Sequence, residues 1–175
     1  MEIEKSEKAD MKPVASLTDL VDSLDFQHED YRSYFDRQTA RVVSVEISIL
    51  SAFEEGDEED LDDVPDWQKN EVEIARAIVN DNSKRFIDPP DKFDFHEYRH
   101  MEDFIDTVDD AQIAKHLARA IRGSGAFRRF KETLYHFDIQ ERWFQYRAKA
   151  MKEFVIKWAE ENDIAYEDDL KAKRK

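Results

Sequence analysis

His96-Glu97-Tyr98-Arg99-His100 is the string in this chain that most resembles a reaction centre. On a helix, two imidazoles one turn apart can hold zinc while the glutamate activates a bound water. That chemistry also needs a third ligand and a closed pocket. Projected at about 100° per residue, Tyr98, Met101, Phe104, Ile105 and Val108 form the inward stripe. His96, His100, Asp103 and Thr107 then fall on the wet side. From Ala111 through Lys131 no acidic residue or cysteine is present to supply a later ligand. Asp103 could add only an adventitious surface ligand. Two exposed histidines are the plainer reading, so neither a metal nor a cofactor is expected.

Anion chemistry has better candidates. Gly123-Ser124-Gly125 stands just before a helix, with Arg128 and Arg129 beside it. Free N–H groups at a helix start attract negative charge. The competing reading is a helix-breaking connection, since glycines at such places usually end helices. Lys115, Arg119 and Arg122 share one face of the preceding helix at i, i+4 and i+7. Behind them Ile113, Leu117, Ala120 and Ile121 face inward. In the next helix Phe127, Phe130 and Leu134 point in, leaving Arg128, Arg129 and His136 outward. Gln145, Lys149 and Lys152 lie off the core stripe of the last helix and could extend the same positive face. A nucleic-acid site would also need exposed aromatics for single strands. With the aromatics on inward stripes and a net-negative chain that repels phosphate, nucleic acid is disfavoured and a solvated or acid-paired face is preferred.

Arg147 breaks its local pattern. It sits within the apolar stripe of the last helix, among Trp143, Met151, Phe154 and Trp158. A buried guanidinium is costly unless paired, so it should meet a carboxylate or stack on a ring. The alternative is an arginine facing a cleft that takes an anionic ligand. The candidate binding residues are therefore Arg119, Arg122, Gly123, Gly125, Arg128, Arg129 and Arg147. No arrangement for nucleophilic or carboxylate catalysis stands out, and no P-loop or dinucleotide glycine pattern occurs.

The elements that must carry these residues follow from composition and spacing. The 175 residues hold only three Gly and four Pro, which favours helices over turns. An aromatic share of 12% argues against disorder of the whole chain. The absence of cysteine removes disulfides and thiolate chemistry. No apolar run is long enough to span a bilayer, and no signal-peptide core opens the chain. The expectation is a soluble cytoplasmic protein.

Charge is unevenly placed. The chain carries −15 overall, with −13 in residues 1–65 (19 acidic, 6 basic). Residues 115–157 carry +7 (11 basic, 4 acidic). Eight of the ten residues in 54–63 are acidic, which reads as a solvated loop. A calcium loop would need ligands at alternate positions and a closing glutamate, a pattern this stretch lacks.

Along the chain, residues 1–14 read as a flexible N-terminus. Ser16 with Asp19 starts a helix through Leu17, Leu20, Val21 and Leu24. Residues 31–36 and 41–46 form a hairpin, where Tyr31, Ser33 and Phe35 alternate with Arg32, Tyr34 and Asp36 as in a sheet with one wet face, and 85–88 add a third strand before Pro89-Pro90. A helix from Trp67 to about Asn80 puts Trp67, Ile74, Ala75 and Ile78 on one stripe. Further helices run from Asp94 to Val108, from Asp109 or Asp110 to Gly123, over 126–137, and over 139–162. In the last of these Phe144, Met151, Phe154, Val155 and both tryptophans are expected on one side. Residues 165–175 read as a flexible C-terminus.

Four strings resemble a known family: Arg85-Phe86-Ile87-Asp88-Pro89, Met101-Glu102-Asp103-Phe104-Ile105, Gly123-Ser124-Gly125-Ala126-Phe127-Arg128-Arg129-Phe130-Lys131, and Glu141-Arg142-Trp143-Phe144. They are similar to the bacterial uncharacterised protein family 0158 of the UPF series. The resemblance spans roughly residues 15–165, and its most specific part is Gly-x-Gly-Ala-Phe-Arg-Arg-Phe. It implies a small bacterial protein with no catalytic residue or cofactor to carry over. The His-Glu-x-x-His string is not part of the family's pattern, and the acidic 54–63 stretch looks peculiar to this chain.

The expected architecture is one helix-rich α+β domain over 15–164, with an acidic loop at 54–65. A small antiparallel sheet of about three strands packs with about six helices. The leading function is a non-catalytic binding or adaptor module that uses the basic helical face, with a protein as partner. The alternative is a protein acting on a phosphate ligand or nucleic acid through the Gly-Ser-Gly-Ala-Phe-Arg-Arg turn and Arg147. The residues lean against an enzyme, and self-association through an uncovered aromatic stays open.

Overall fold

The computed structural model describes residues 11–170, apart from the side chain of Asp60. The flexible ends expected at 1–10 and 171–175 lie outside these residues. The fold is α+β and helix-rich, with a three-stranded antiparallel sheet. Its contacts gather into two compact units: residues up to Pro90 with Trp158 onward, and Asp91–Lys157. Among the described residues no helix is long and apolar enough to cross a membrane.

The first unit opens with a short strand β1 (Ala15–Ser16) and helix α1 (Leu17–Asp25). The Ser16 hydroxyl accepts from the Asp19 N–H at 3.1 Å, satisfying one orphan donor of the helix start. Leu17, Leu20 and Leu24 are buried along one face. The hairpin joins β2 (Tyr31–Asp36) to β3 (Arg41–Glu46), with Tyr31 opposite Glu46 and Asp36 opposite Arg41. The two-residue strand β4 (Phe86–Ile87) pairs on the other side of β2. Helices α2 (Ile47–Glu55) and α3 (Asp66–Val79) close a core of Val45, Ile49, Leu50, Phe53, Val72 and Ala75.

Four features differ from the sequence reading. Asp36, expected on a wet face, is 3% exposed. It is held there by Arg85, which donates to its two carboxylate oxygens at 2.8 Å each. Trp67, expected inward, is 76% exposed, and Val72 takes its place in the core of α3. Within the acidic stretch, α2 runs on to Glu55 and a 3-10 turn forms at Glu58–Leu61, with Leu61 packed against the core. Beyond residue 165, strand β5 (Tyr166–Glu167) pairs in parallel with β1, and Asp169 accepts from the Ser16 hydroxyl and the Thr18 N–H.

The second unit is all helix: α4 (Lys92–Phe95), α5 (Glu97–Asp106), α6 (Ala111–Ala120), α7 (Ala126–His136) and the greater part of α8 (Gln140–Glu161). Asp110 caps α6, accepting from the Gln112 and Ile113 N–H groups. The core joins Met101, Phe104, Leu117, Phe130, Leu134 and Trp143. The Trp143 ring meets Phe104 and Phe130 edge-on at 5.4 and 5.0 Å, the geometry aromatic quadrupoles favour.

Here too some expectations change. The helix expected from Asp94 to Val108 is broken at His96, whose φ of 51° is left-handed. Tyr98 leaves the buried stripe of α5, with 40% exposure, and its hydroxyl donates to the Ile121 carbonyl at 3.0 Å. On α8, Trp143, Met151, Val155 and Ala159 are buried, whereas Phe144 is 41% exposed.

Candidate anion-binding face

Helices α6 and α7 pack against each other as a helical hairpin joined through residues 121–125. Within 111–136 the side chains are six basic (Lys115, Arg119, Arg122, Arg128, Arg129, Lys131) and one acidic (Glu132), a net of +5. The rest of the chain therefore carries −20 against this +5. Such a concentration arises because each helix buries an apolar stripe and turns its remaining positions to solvent. Leu117, Ala120 and Ile121 are buried on the α6 side, and Ala126, Phe130 and Leu134 on α7.

Gly123 and Gly125 build the turn, both with φ of 76°, where a side chain would strain the backbone. Arg129 reaches back from α7 and ties the end of α6. Its Nε donates to the Ala120 carbonyl at 3.0 Å, and its two Nη atoms donate to the Ser124 and Arg122 carbonyls. A cation at a helix C-terminus meets the negative end of the helix dipole, and here it also satisfies orphan carbonyls. Arg129 is thus the clasp of the hairpin.

The other cations point elsewhere. Lys115, Arg119 and Arg122 are exposed, and among the described residues their side chains form no ion pair. Arg128 has Glu132 one turn on, at 3.6 Å, with both side chains largely exposed. A pair this exposed holds little energy and exchanges readily with another anion. Between α6 and α7 lies an open groove of about 580 Å³ lined by His116, Arg119, Arg129, Thr133, His136 and Phe137, among others. Both imidazoles lie against the Phe137 ring, at 5.3 Å for His116 and 4.8 Å for His136.

Six of the seven residues proposed from sequence thus fall on one hairpin: Arg119, Arg122, Gly123, Gly125, Arg128 and Arg129. Arg147 belongs to a different contact. Its Nε donates to Glu97 Oε1 at 2.5 Å, with the two side chains 21% and 15% exposed. His116, Thr133 and Phe137 were not foreseen in the groove. The spacing of His116 three residues before Arg119 was the signal available, since i and i+3 share a helix face.

The placing of Phe127 is corrected. It is 50% exposed rather than inward, and Tyr135 on the same helix is 59% exposed. Helix α7 therefore does present exposed aromatics beside its cations.

The His-Glu-x-x-His string is not arranged as a metal centre. His96 occupies the break between α4 and α5, Glu97 is engaged by Arg147, and His100 stacks on Phe95 at 4.3 Å between ring centroids. Among the described residues no three His, Cys, Asp or Glu side chains are grouped to hold a metal ion.

Two comparisons bear on this chain. The sequence pattern of the uncharacterised protein family UPF0158 matches residues 11–175. A UPF0158 protein of Pseudomonas aeruginosa is 29% identical over 65 residues, covering 37% of this chain and 42% of that protein. The aligned stretch is therefore less than half the length of the relative. No solved structure matches the chain.

Proposed function

The chain belongs to the uncharacterised protein family UPF0158, and within that frame we propose that it is a non-catalytic binding module whose α6–α7 hairpin takes an anionic partner. The observation that carries this reading is the set of Lys115, Arg119 and Arg122: three exposed cations at i, i+4 and i+7 along α6 and the turn that follows it, without acidic partners among the described residues, in a protein of net charge −15. Solvated cations cost little to leave exposed, so exposure alone means nothing. Clustering is different, because like charges on adjacent turns repel and destabilise the helix that holds them. An anionic partner relieves that repulsion.

The proposed face comprises Lys115 and Arg119 on α6 and Arg122 in the turn that follows, with Arg128 and Lys131 on α7. Arg129 and the two glycines hold its shape. Arg147 is left out, since its guanidinium meets Glu97. At physiological ionic strength charges are screened over about 8 Å, so a partner at this face feels the local +5 more than the distant acidic segments. The reading sets the protein in the cytoplasm, in keeping with a cysteine-free chain that asks nothing of an oxidising compartment.

The test is retention on immobilised heparin at low salt, about 50 mM, followed by salt elution. Retention that is lost when Arg119 and Arg122 are both changed to Glu supports the reading. Passage of the unaltered protein straight through the column would overturn it.

A further inference from the structure

The outer face of α7 carries more than charge. Phe127, Lys131 and Tyr135 follow one another at i, i+4 and i+8, so they lie in one row along the helix. Arg128 and Tyr135, seven residues apart, fall almost on the same line. Phe127 is 50% and Tyr135 59% exposed, and neither side chain has a ring or hydrogen-bond partner among the described residues. At 1.5 Å per residue the two rings stand about 12 Å apart along the helix, with the Lys131 ammonium between them.

Single exposed rings are common, as Phe26, Trp67 and Phe93 show, but Phe127 and Tyr135 share a row on one helix with a cation between them. Protein–protein anchors usually sit in a well-packed pocket ringed by contacts that exclude water. These rings instead stand on the outside of a helix, with Arg128 beside Phe127 and Lys131 between the two. Single-stranded nucleic acid is the partner that answers to both features. Its phosphates suit Arg128 and Lys131, and its unstacked bases offer flat apolar faces to Phe127 and Tyr135. A duplex hides those faces, and an acidic peptide has none to offer.

Resting on the reading of the α6–α7 hairpin as an anion-binding face, we propose that its ligand is a single-stranded nucleic acid, whose bases stack on Phe127 and Tyr135 while its backbone runs along Arg128 and Lys131. Recognition is by stacking and charge. Among Phe127, Arg128, Lys131 and Tyr135 there is no side-chain amide or carboxylate to read base edges. Binding is accordingly tolerant of sequence and steeply dependent on salt.

The experiment measures fluorescence anisotropy of a labelled oligothymidylate of about 12 nucleotides, within the site size of single-strand binding modules. A duplex of equal charge and poly-glutamate serve as competitors. Phe127→Ala and Tyr135→Ala are compared with the unaltered protein, and circular dichroism checks that these exposed-site variants stay folded. The expected result is displacement by neither competitor at equal charge, and binding about tenfold weaker in each variant, with heparin retention unchanged. Equal affinity for the duplex, or oligonucleotide binding indifferent to both substitutions, overturns the inference while leaving the anion-binding face intact. Displacement by poly-glutamate overturns it as well and assigns the face to an acidic protein. Failure to bind heparin at all removes the underlying reading along with it.

Discussion

Arg147 and Glu97, fifty residues apart in sequence, meet through a 2.5 Å hydrogen bond between Nε and Oε1. The contact ties α8 to the first turn of α5, and both side chains are mostly buried. It explains two oddities together. An arginine stands in an apolar stripe because a carboxylate awaits it, and the glutamate of a zinc-like string is engaged in the fold.

Removing one partner leaves the other charge partly buried and unpaired, which costs more than the pair contributes. Arg147→Met is expected to lower unfolding stability by about 3 kcal/mol. Glu97→Leu in the same background should recover part of that loss. A denaturant midpoint for the two single variants and the double variant checks this. Additive losses would show that the two side chains do not act as a pair.

The clasp at the hairpin makes a second prediction. Lysine keeps the charge of Arg129 but cannot donate to three carbonyls at once in a planar fork. Arg129→Lys should destabilise the protein by about 1–2 kcal/mol, as carbonyls at the end of α6 lose their donors. Gly125→Ala should act in the same direction, because its φ of 76° disfavours a side chain and the new Cβ would stand 3.3 Å from Arg129 Nη1. Gly123→Ala shares the backbone strain but meets no atom within 4 Å, so its loss should be smaller. Thermal melts of the three variants rank them.

Acid should weaken the first unit through two aspartates. Burial pushes the Asp36 carboxyl up, but hydrogen bonds from Arg85, the Gln38 N–H and Thr39 outweigh it and hold the group below its ordinary 3.8. The Phe86 N–H, with smaller help from Ser83, draws Asp81 down to about 2. Both folded-state values lie below the unfolded ones. Their stabilisation is therefore complete above about pH 4 and is lost as pH falls toward the folded values. Denaturant midpoints measured between pH 5 and about 2 should fall, and in the double variant Asp36→Asn/Asp81→Asn the fall should be shallower. An unchanged slope would remove these groups from the account.

Much of this was legible in the letters, for physical reasons that can be named. Leu117, Phe130, Leu134 and Trp143 fall on helical stripes because burial follows the 3.6-residue period. The hairpin at 31–46 shows through β-branched and aromatic residues on either side of a polar turn. Ser16 and Asp110 announce their helices by capping chemistry that is local. The exposure of Lys115 and Arg119 opposite the buried Leu117 and Ala120 was likewise a matter of spacing.

What stayed hidden depends on partners that the local sequence does not name. Phe127 lies only about 20° from Leu134 on a helical wheel, yet one is half exposed and the other buried. The wheel gives direction, whereas the neighbouring helix decides where cover ends. The break at His96 is a backbone choice no side chain there advertises. Arg129 bonds to carbonyls, which every residue possesses and no letter marks. Pairing of β1 with β5 joins residues about 150 positions apart through two-residue strands, too short for periodicity to register.

The most direct test of the α6–α7 face is the salt dependence of its binding to labelled heparin. Each cation that contacts the polyanion releases counterions and adds about one to the steepness of log K against log salt. Arg119→Ala/Arg122→Ala should flatten that slope by about 2 while leaving the melting curve in place. A slope identical to that of the unaltered protein would contradict the face as drawn.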